Sequence, residues 1–451
     1  MKNKHILSLL VATCISGQAM AGTLQEALKS AYETNPALEG ERAALRAVDE
    51  NIAIAKSGFR PTMSVNGQYR DVHVNNNVVV DAQDGYTRSI SANLVQPIFS
   101  GFKTINSVKA ADSYIRAAQN NLYNVEQSVL LEAATAYLDV MRDEAIVKLR
   151  ENNEKLLKKR MDETNQRYNV GELTRTDVSQ AKARYSAARS DRIASEGNLL
   201  ASKALYNQII GQNPEDLIEP KELADLFPTD FEAAKKEALE NNYSVQQAKH
   251  LLESKSYDVK TNTGDLLPSI NVSANATRST TESNVSKDPT TNSAYVGVSL
   301  DVPLYNGGAS RAKIRQSKYE KWQAQELVQQ AERAAISGVT SSWEYMNANK
   351  AKIESVKDQI KAYEVALDGV QKEEALGNRT VLDVLDAYQD LLNSQVEEVS
   401  ALRDYYVSGL QMLSSVGKLT AENLKLDVEL YKAKKYYKET RDKWLSISVD
   451  E

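Results

Sequence analysis

Gly377-Asn378-Arg379-Thr380-Val381-Leu382-Asp383-Val384-Leu385-Asp386 interrupts two long apolar-periodic segments, and Gly171-Glu172-Leu173-Thr174-Arg175-Thr176-Asp177 does the same earlier in the chain. In each, a glycine suits the left-handed residue that ends a helix, and a threonine or asparagine can cap the helix that restarts. An aspartate six residues past each glycine falls where the second segment begins. These stretches are read as the tips of two helical hairpins. If the restart is helical from Arg379 onward, Arg379, Asp383 and Asp386 share one face at i, i+4, i+7. Acidic residues in a first helical turn also suit the helix dipole, which alone would account for Asp177 or Asp383.

The two tips are equivalent points of a repeat. An offset of 206 relates Gly171 to Gly377, Asp177 to Asp383, Tyr137 to Trp343, Pro97 to Pro303, Gly101 to Gly307 and Gly211 to Gly417. Such a period is too long for a solenoid and implies an internally duplicated module. The repeats are placed at 22–211 and 231–417, joined by a proline-bearing linker at 212–230 and followed by a Lys- and Tyr-rich segment at 418–451.

Working outward from the tips, Phe102 to about Val170 holds neither proline nor interior glycine. Val108, Ala111, Ile115, Ala118, Leu122, Val125 and Val129 step as a heptad seam. At 1.5 Å per residue such a helix is roughly 100 Å long. Its return is expected at Thr176 to about Ile210, and Ala309–Leu376 with Thr380–Val416 repeats the pair, giving helical hairpins over 102–211 and 309–417. Ahead of each hairpin the period changes from 3.6 to 2. Ile270, Val272, Ala274 and Ala276 alternate with Asn271, Ser273, Asn275 and Thr277, and Ala294, Val296, Val298, Leu300 and Val302 alternate with Tyr295, Gly297, Ser299 and Asp301. Strands are therefore expected at about 61–74, 86–99, 268–278 and 293–305, each repeat supplying one hairpin behind a helical segment (Thr23–Ser57 and Phe231–Thr263).

Strands of this length and alternation suit a membrane-crossing β-barrel, although a soluble sandwich alternates in the same way. Number separates the two. Four strands cannot close a barrel, and an open sheet leaves hazardous edges, whereas three copies would supply twelve strands and no edge. At about 4.8 Å per strand and a tilt near 40°, twelve strands enclose a backbone diameter of roughly 24 Å, wide enough for a wet lumen.

The chain of 451 residues opens MKNKHILSLLVATCISGQAMA, with Lys2 and Lys4, an apolar run and an A-x-A site ending at Ala21. This pattern is a secretory signal peptide over 1–21. The single cysteine, Cys14, lies within it, so the mature chain has no thiol or disulfide chemistry. The formal net charge is −6, without the clustered basic surface that nucleic acid demands. No G-x-S-x-G, H-E-x-x-H or Gly-rich phosphate loop occurs, and the three histidines are isolated, so neither an enzyme, a metal centre nor a cofactor site is expected.

Together the signal peptide, the repeat, the strand hairpins and the tips resemble the TolC family of outer-membrane export channels over essentially the whole mature chain. The residues that carry the resemblance are Gly377 to Asp386, Tyr168-Asn169-Val170-Gly171 with Thr176-Asp177-Val178, and the strand ends Gln96 to Gly101 and Val302 to Gly308. The tail, LTAENLKLDVELY and YYKETRDKW, resembles the subfamily serving type I protein secretion. The resemblance implies a homotrimer in the outer membrane of a Gram-negative bacterium, an α+β membrane protein whose trimeric 12-stranded barrel continues into a long α-helical coiled-coil barrel across the periplasm. It implies a passive exit duct for a periplasmic adaptor and an inner-membrane ABC or proton-driven transporter, with small-molecule efflux as the alternative cargo. It further implies a gate ion pair of Arg379 with Asp177 beside Thr176, and an aperture ring of Asp383 and Asp386 able to hold a polyvalent cation. A tyrosine expected five residues before the arginine is here Glu374. A poreless exported coiled-coil scaffold would account for the helices but not for the matched strands.

Overall fold

A computed structural model describes residues 22–72, 85–283 and 290–447. The signal peptide, the polar strand-connecting loop at 75–84, the strand end at 73–74 and the extreme carboxyl end lie outside the described residues.

The chain starts with α1 (Leu24–Thr34) and α2 (Pro36–Ser57). Asn35 sits between them with its side chain accepting from the Ala37 amide, and Pro36 takes the first position of α2. Strands β1 (Thr62–Val72) and β2 (Gly85–Ser100) lead to α3 (Lys103–Asn169) and α4 (Arg175–Ile210). After the linker come α5 (Phe231–Asn241) and α6 (Tyr243–Thr263), β3 (Ser269–Ser283), β4 (Thr290–Asp301), α7 (Ala309–Ala375), α8 (Val381–Ser415) and a short α9 (Ala433–Thr440). Helices α3 and α7 have 67 residues each, so each runs about 100 Å. Among the described residues no helix is long and apolar enough to cross a membrane.

The strands form one antiparallel sheet in the order β1-β2-β3-β4. Its register sorts side chains cleanly. Met63 faces Leu94, Leu94 faces Ala274 and Ala274 faces Val296, so these share a face with Val65, Ala92, Val272, Val298 and Leu300. The other face carries Ser64, Asn66, Asn93, Ser273, Asn275 and Ser299. Strand β3 continues five residues past the expected limit, and β4 stops at Asp301, short of the expected 305.

The main core lies where α1, α3, α4, α8, the linker and the tail converge. Tyr137 is fully buried there, its hydroxyl donating to the Ile218 carbonyl at 2.6 Å and accepting from the Ile218 amide at 2.9 Å. Asn35 Nδ2 donates to the Ile209 carbonyl at 2.9 Å, and Asn242 Nδ2 to the Ser415 carbonyl at 3.0 Å, tying the end of each helical hairpin to the helix before its sheet. The expected seam of α3 is only partly buried, because α3 packs against α1, α2, α4, α6 and α8 on several sides and its buried residues spread round the helix.

Candidate functional site

Both tips are built alike. At the first, Gly171 has φ 86°, and the Glu172 amide reaches back to the Arg167 carbonyl at 2.9 Å. At the second, Gly377 has φ 79°, and the Asn378 amide donates to the Glu373 carbonyl at 2.9 Å. This six-to-one bond is the Schellman closure, and the positive φ is why glycine stands there: a Cβ would meet nothing within 4 Å at either place.

The restarts are capping boxes. Thr174 caps α4: its hydroxyl accepts from the Asp177 amide at 3.3 Å, and Asp177 Oδ2 accepts from the Thr174 amide at 2.8 Å. Thr380 and Asp383 repeat this at 3.2 and 2.8 Å. The helix thus restarts at Arg175, one residue before the expected Thr176, which is exposed on its first turn. Arg379 precedes the cap and lies outside α8, so it does not share the helical face of Asp383 and Asp386.

Within one chain Arg379 and Asp177 are not joined. Arg379 Nε donates to Glu373 Oε2 at 2.9 Å, and that carboxylate holds the guanidinium above its ordinary range. The Thr380 amide, then its hydroxyl, hold the Asp383 carboxyl below the usual carboxylate range. Asp386 is bound by Arg184 of α4. Behind the tips a second polar cluster joins the hairpins. Glu374 is buried and ion-paired with Arg167 of α3, whose Nε also donates to Glu172 Oε2 at 3.1 Å. The Glu374 hydrogen bond is the leading cause of the raised Arg167 guanidinium. Arg160 donates to the Tyr388 hydroxyl at 3.3 Å, which also accepts from Gln371 Nε2 at 2.5 Å. A cavity of about 40 Å³ remains between Arg160, Arg167, Glu374 and Val384. Below it Leu157, Ala181, Ala188, Val381 and Leu385 form a small apolar core uniting α3, α4 and α8.

Residues 27–212 and 235–418 match the family described as outer membrane efflux protein. The chain belongs to that family. It is 36% identical over 443 residues to the outer membrane efflux protein BepC of Brucella suis biovar 1 (strain 1330), covering 97% of this chain and 95% of the relative. It is 26% identical to outer membrane protein TolC of Escherichia coli (strain K12), covering 93% and 88%. The solved structure of CusC superposes with a TM-score of 0.78 at 14% identity, over 87% of this chain and 91% of that one, a likeness of fold. More distant relatives are named for alkaline protease secretion (AprF of Pseudomonas aeruginosa, 23% identical) and for toluene efflux (TtgC of Pseudomonas putida, 20% identical).

As an outer membrane efflux protein of the TolC family, the chain is an export channel of the Gram-negative outer membrane and not an enzyme. In that setting the links missed from sequence, Arg167 with Glu374, Arg184 with Asp386 and Arg160 with Tyr388, are among the contacts that hold one hairpin against the other near the tips. The substitution at Glu374 does not leave a gap in the tip, because a carboxylate there finds Arg167. Each linked pair is far apart in sequence, so nothing short of the relative rotation of two hairpins could have announced it.

Proposed function

We propose that three copies of this chain, each an internally duplicated unit, close a twelve-stranded barrel in the outer membrane and a helical tunnel beneath it, forming the exit duct of a tripartite export machine. The observation that carries this is the sheet: nearer the helices one face is apolar, giving way to Arg88, Arg278 and Glu282 toward the loops, while the other is lined mostly by uncharged Ser, Thr and Asn, with β1 and β4 left as edges. Lipid covers the first face and water the second. The recurrence of element lengths in the two halves, and the family match falling in two segments, support the duplication.

The tips supply the gate. Asp177 and Arg379, unjoined within a chain, meet between neighbouring hairpins of the closed assembly, with Thr176 beside them. Asp383 and Asp386 of three chains line the mouth, where six carboxylates repel one another, favour cations and can hold a polyvalent one. Opening requires a partner that binds the splayed state better, namely a periplasmic adaptor with an inner-membrane ABC or proton-driven transporter. Protein cargo of the type I pathway is the favoured substrate, supported by the tail and by the protease-secretion names among the relatives. Small-molecule efflux is the second reading, supported by the toluene-efflux name of the 20% identical relative TtgC.

Single-channel conductance in a planar bilayer tests the duct. Small cation-selective steps that enlarge in Asp177→Ala with Arg379→Ser support both pore and gate, and silence after confirmed insertion removes them. Deletion tests the cargo: if export of large proteins persists while only drug sensitivity changes, type I secretion is the wrong assignment.

A further inference from the structure

The tail climbs α2 toward the sheet. In α9 the Tyr436 hydroxyl donates to Glu50 Oε1 at 3.0 Å, and Tyr437 donates to Asp112 of α3 at 2.7 Å. Beyond α9, Lys56 Nζ donates to the Arg441 carbonyl at 3.2 Å and to Asp442 Oδ1 at 2.8 Å. Arg60 then donates to the Lys443 carbonyl at 3.0 Å, and its guanidinium lies 4.5 Å over the Trp444 ring. As the tail advances from Tyr436 to Trp444, its partners advance from Glu50 to Arg60, two residues before β1 begins. The indole is thus fixed at the foot of the sheet. Trp444 is nonetheless 65% exposed, and Leu445 and Ile447 after it are 92% and 100% exposed.

We propose that Trp444, Leu445 and Ile447 insert into the periplasmic leaflet of the outer membrane, anchoring each chain beside its own strands. The inference rests on the reading of the sheet as lipid-embedded. Two observations choose lipid as the occupant. The first is continuity: Phe59, Met63 and Tyr305, at the same end of the sheet, also expose apolar surface, and an indole with an aliphatic neighbour suits the boundary between acyl chains and headgroups. The second is charge. Lys434, Lys435, Lys438 and Arg441 are exposed below the apolar residues beside the exposed Glu439, while Asp442 is paired with Lys56, so the surface that would approach anionic headgroups is net basic.

The test uses the full chain with Trp444 as its only tryptophan (Trp322→Phe, Trp343→Phe), reconstituted into vesicles of ordinary or brominated phospholipid. The expected result is loss of most Trp444 emission in brominated lipid. Unquenched blue-shifted emission would place the indole under a neighbouring chain or another protein, and unquenched red-shifted emission would place it in water; either overturns the anchor. A reference chain with Val298→Trp as its only tryptophan reports on the strands. If that reference is also unquenched, the sheet is not in lipid and the anchor falls with it. An independent readout needs no tryptophan replacement: a nitroxide on Ile447→Cys should collide more with oxygen than with a water-soluble nickel chelate, and the reverse order refutes insertion.

Discussion

Under the proposed twelve-stranded closure, the proposed internal repeat specifies how neighbouring chains join. In the joint between the two halves Ala92 faces Ala276, Leu94 faces Ala274 and Gln96 faces Val272. Pro97 and Pro303 align β2 with β4 at an offset of 206, and Pro61 and Pro268 align β1 with β3 at an offset of 207. Carrying the joint over sets β4 of one chain against β1 of the next with Val298 opposite Tyr69, Leu300 opposite Gly67 and Val302 opposite Val65. Val298, Leu300, Val65, Gly67 and Tyr69 lie on the apolar face, and Val302 continues the alternation just past the end of β4, as closure without a flip requires. In a chain lacking Cys14, the substitutions Val298→Cys and Tyr69→Cys then sit directly opposite across the joint. Opposed Cα atoms in an antiparallel pair are about 4.5–5.5 Å apart, within the roughly 4.4–6.8 Å that a disulfide spans. A slip of two residues adds about 6.6 Å along the strand and stretches the pair to roughly 8 Å, beyond bridging, and a slip of one turns the partner to the other face. Oxidation should therefore give covalent trimers on a non-reducing gel for Val298→Cys with Tyr69→Cys. Bridging that instead favours Gly67→Cys or Asp71→Cys as the partner of Val298→Cys would refute the carried-over register, and no inter-chain bridge at any of the three would refute the joint.

Asp49 of α2 is fully buried with neither carboxylate oxygen hydrogen-bonded, and burial, helped by the Glu50 charge, pushes its carboxyl up to about 7. The native state then keeps a proton that the unfolded chain releases near pH 4, so stability falls as pH rises between about 4 and 7, by an amount approaching roughly 4 kcal/mol. Asp49→Asn should flatten that dependence, read as melting temperature at pH 5 and pH 8; an unchanged slope counts against it. Arg167→Ala leaves the buried Glu374 carboxylate without its ion-pair partner; because the Arg167 end of the pair is open to solvent, the loss is about 1–3 kcal/mol. It should raise conductance and protease access at the tips, and adding Glu374→Leu should restore much of the wild-type behaviour; if the double variant is as loose as the single, the pair is not the latch. At the sheet-helix junction a Cβ on Gly264 would lie 2.4 Å from the Gly101 carbonyl oxygen, so Gly264→Ala should cost about 1–3 kcal/mol and reduce heat-resistant oligomer on a gel. Gly197→Ala, with open space around its Cβ, should instead stabilise α4 by about 0.5–1 kcal/mol, and equal behaviour of the two variants would contradict the crowding.

The long elements were legible because nothing interrupts them. Phe102 to Val170 lacks any breaker, and the observed helix ends within a residue of each limit. The capping boxes were also within reach: Thr174-x-x-Asp177 and Thr380-x-x-Asp383 have the same spacing, and that pattern places the start of α4 correctly where Thr176 does not. Strand ends were harder for a physical reason. Alternation marks burial of one face, and beyond Ala276 the sequence Thr277-Arg278-Ser279-Thr280 turns polar on both faces while backbone pairing of β3 with β2 and β4 continues. The early end of β4 has the opposite cause: residues past Asp301 have no partner strand within their own chain.

What the tips contain constrains how the proposed gate can work. Asp177 and Asp383 are each committed to capping their own helix, so their carboxylates are held in place whether or not a neighbouring chain is near. For Asp383 the amide and hydroxyl of Thr380 also favour the ionised form, and mild acidification leaves its charge at the mouth. Protonation of Asp383 is therefore a poor trigger. The hairpins, by contrast, are joined through pairs on side chains that rotate with their helices: Arg184 on α4 with Asp386 on α8, and Arg167 on α3 with Glu374 on α7. Sliding or untwisting one helical pair against the other breaks these links while leaving every cap intact. A gate so built responds to mechanical displacement by a docked partner, and its charged rim travels outward with the helices as the mouth widens.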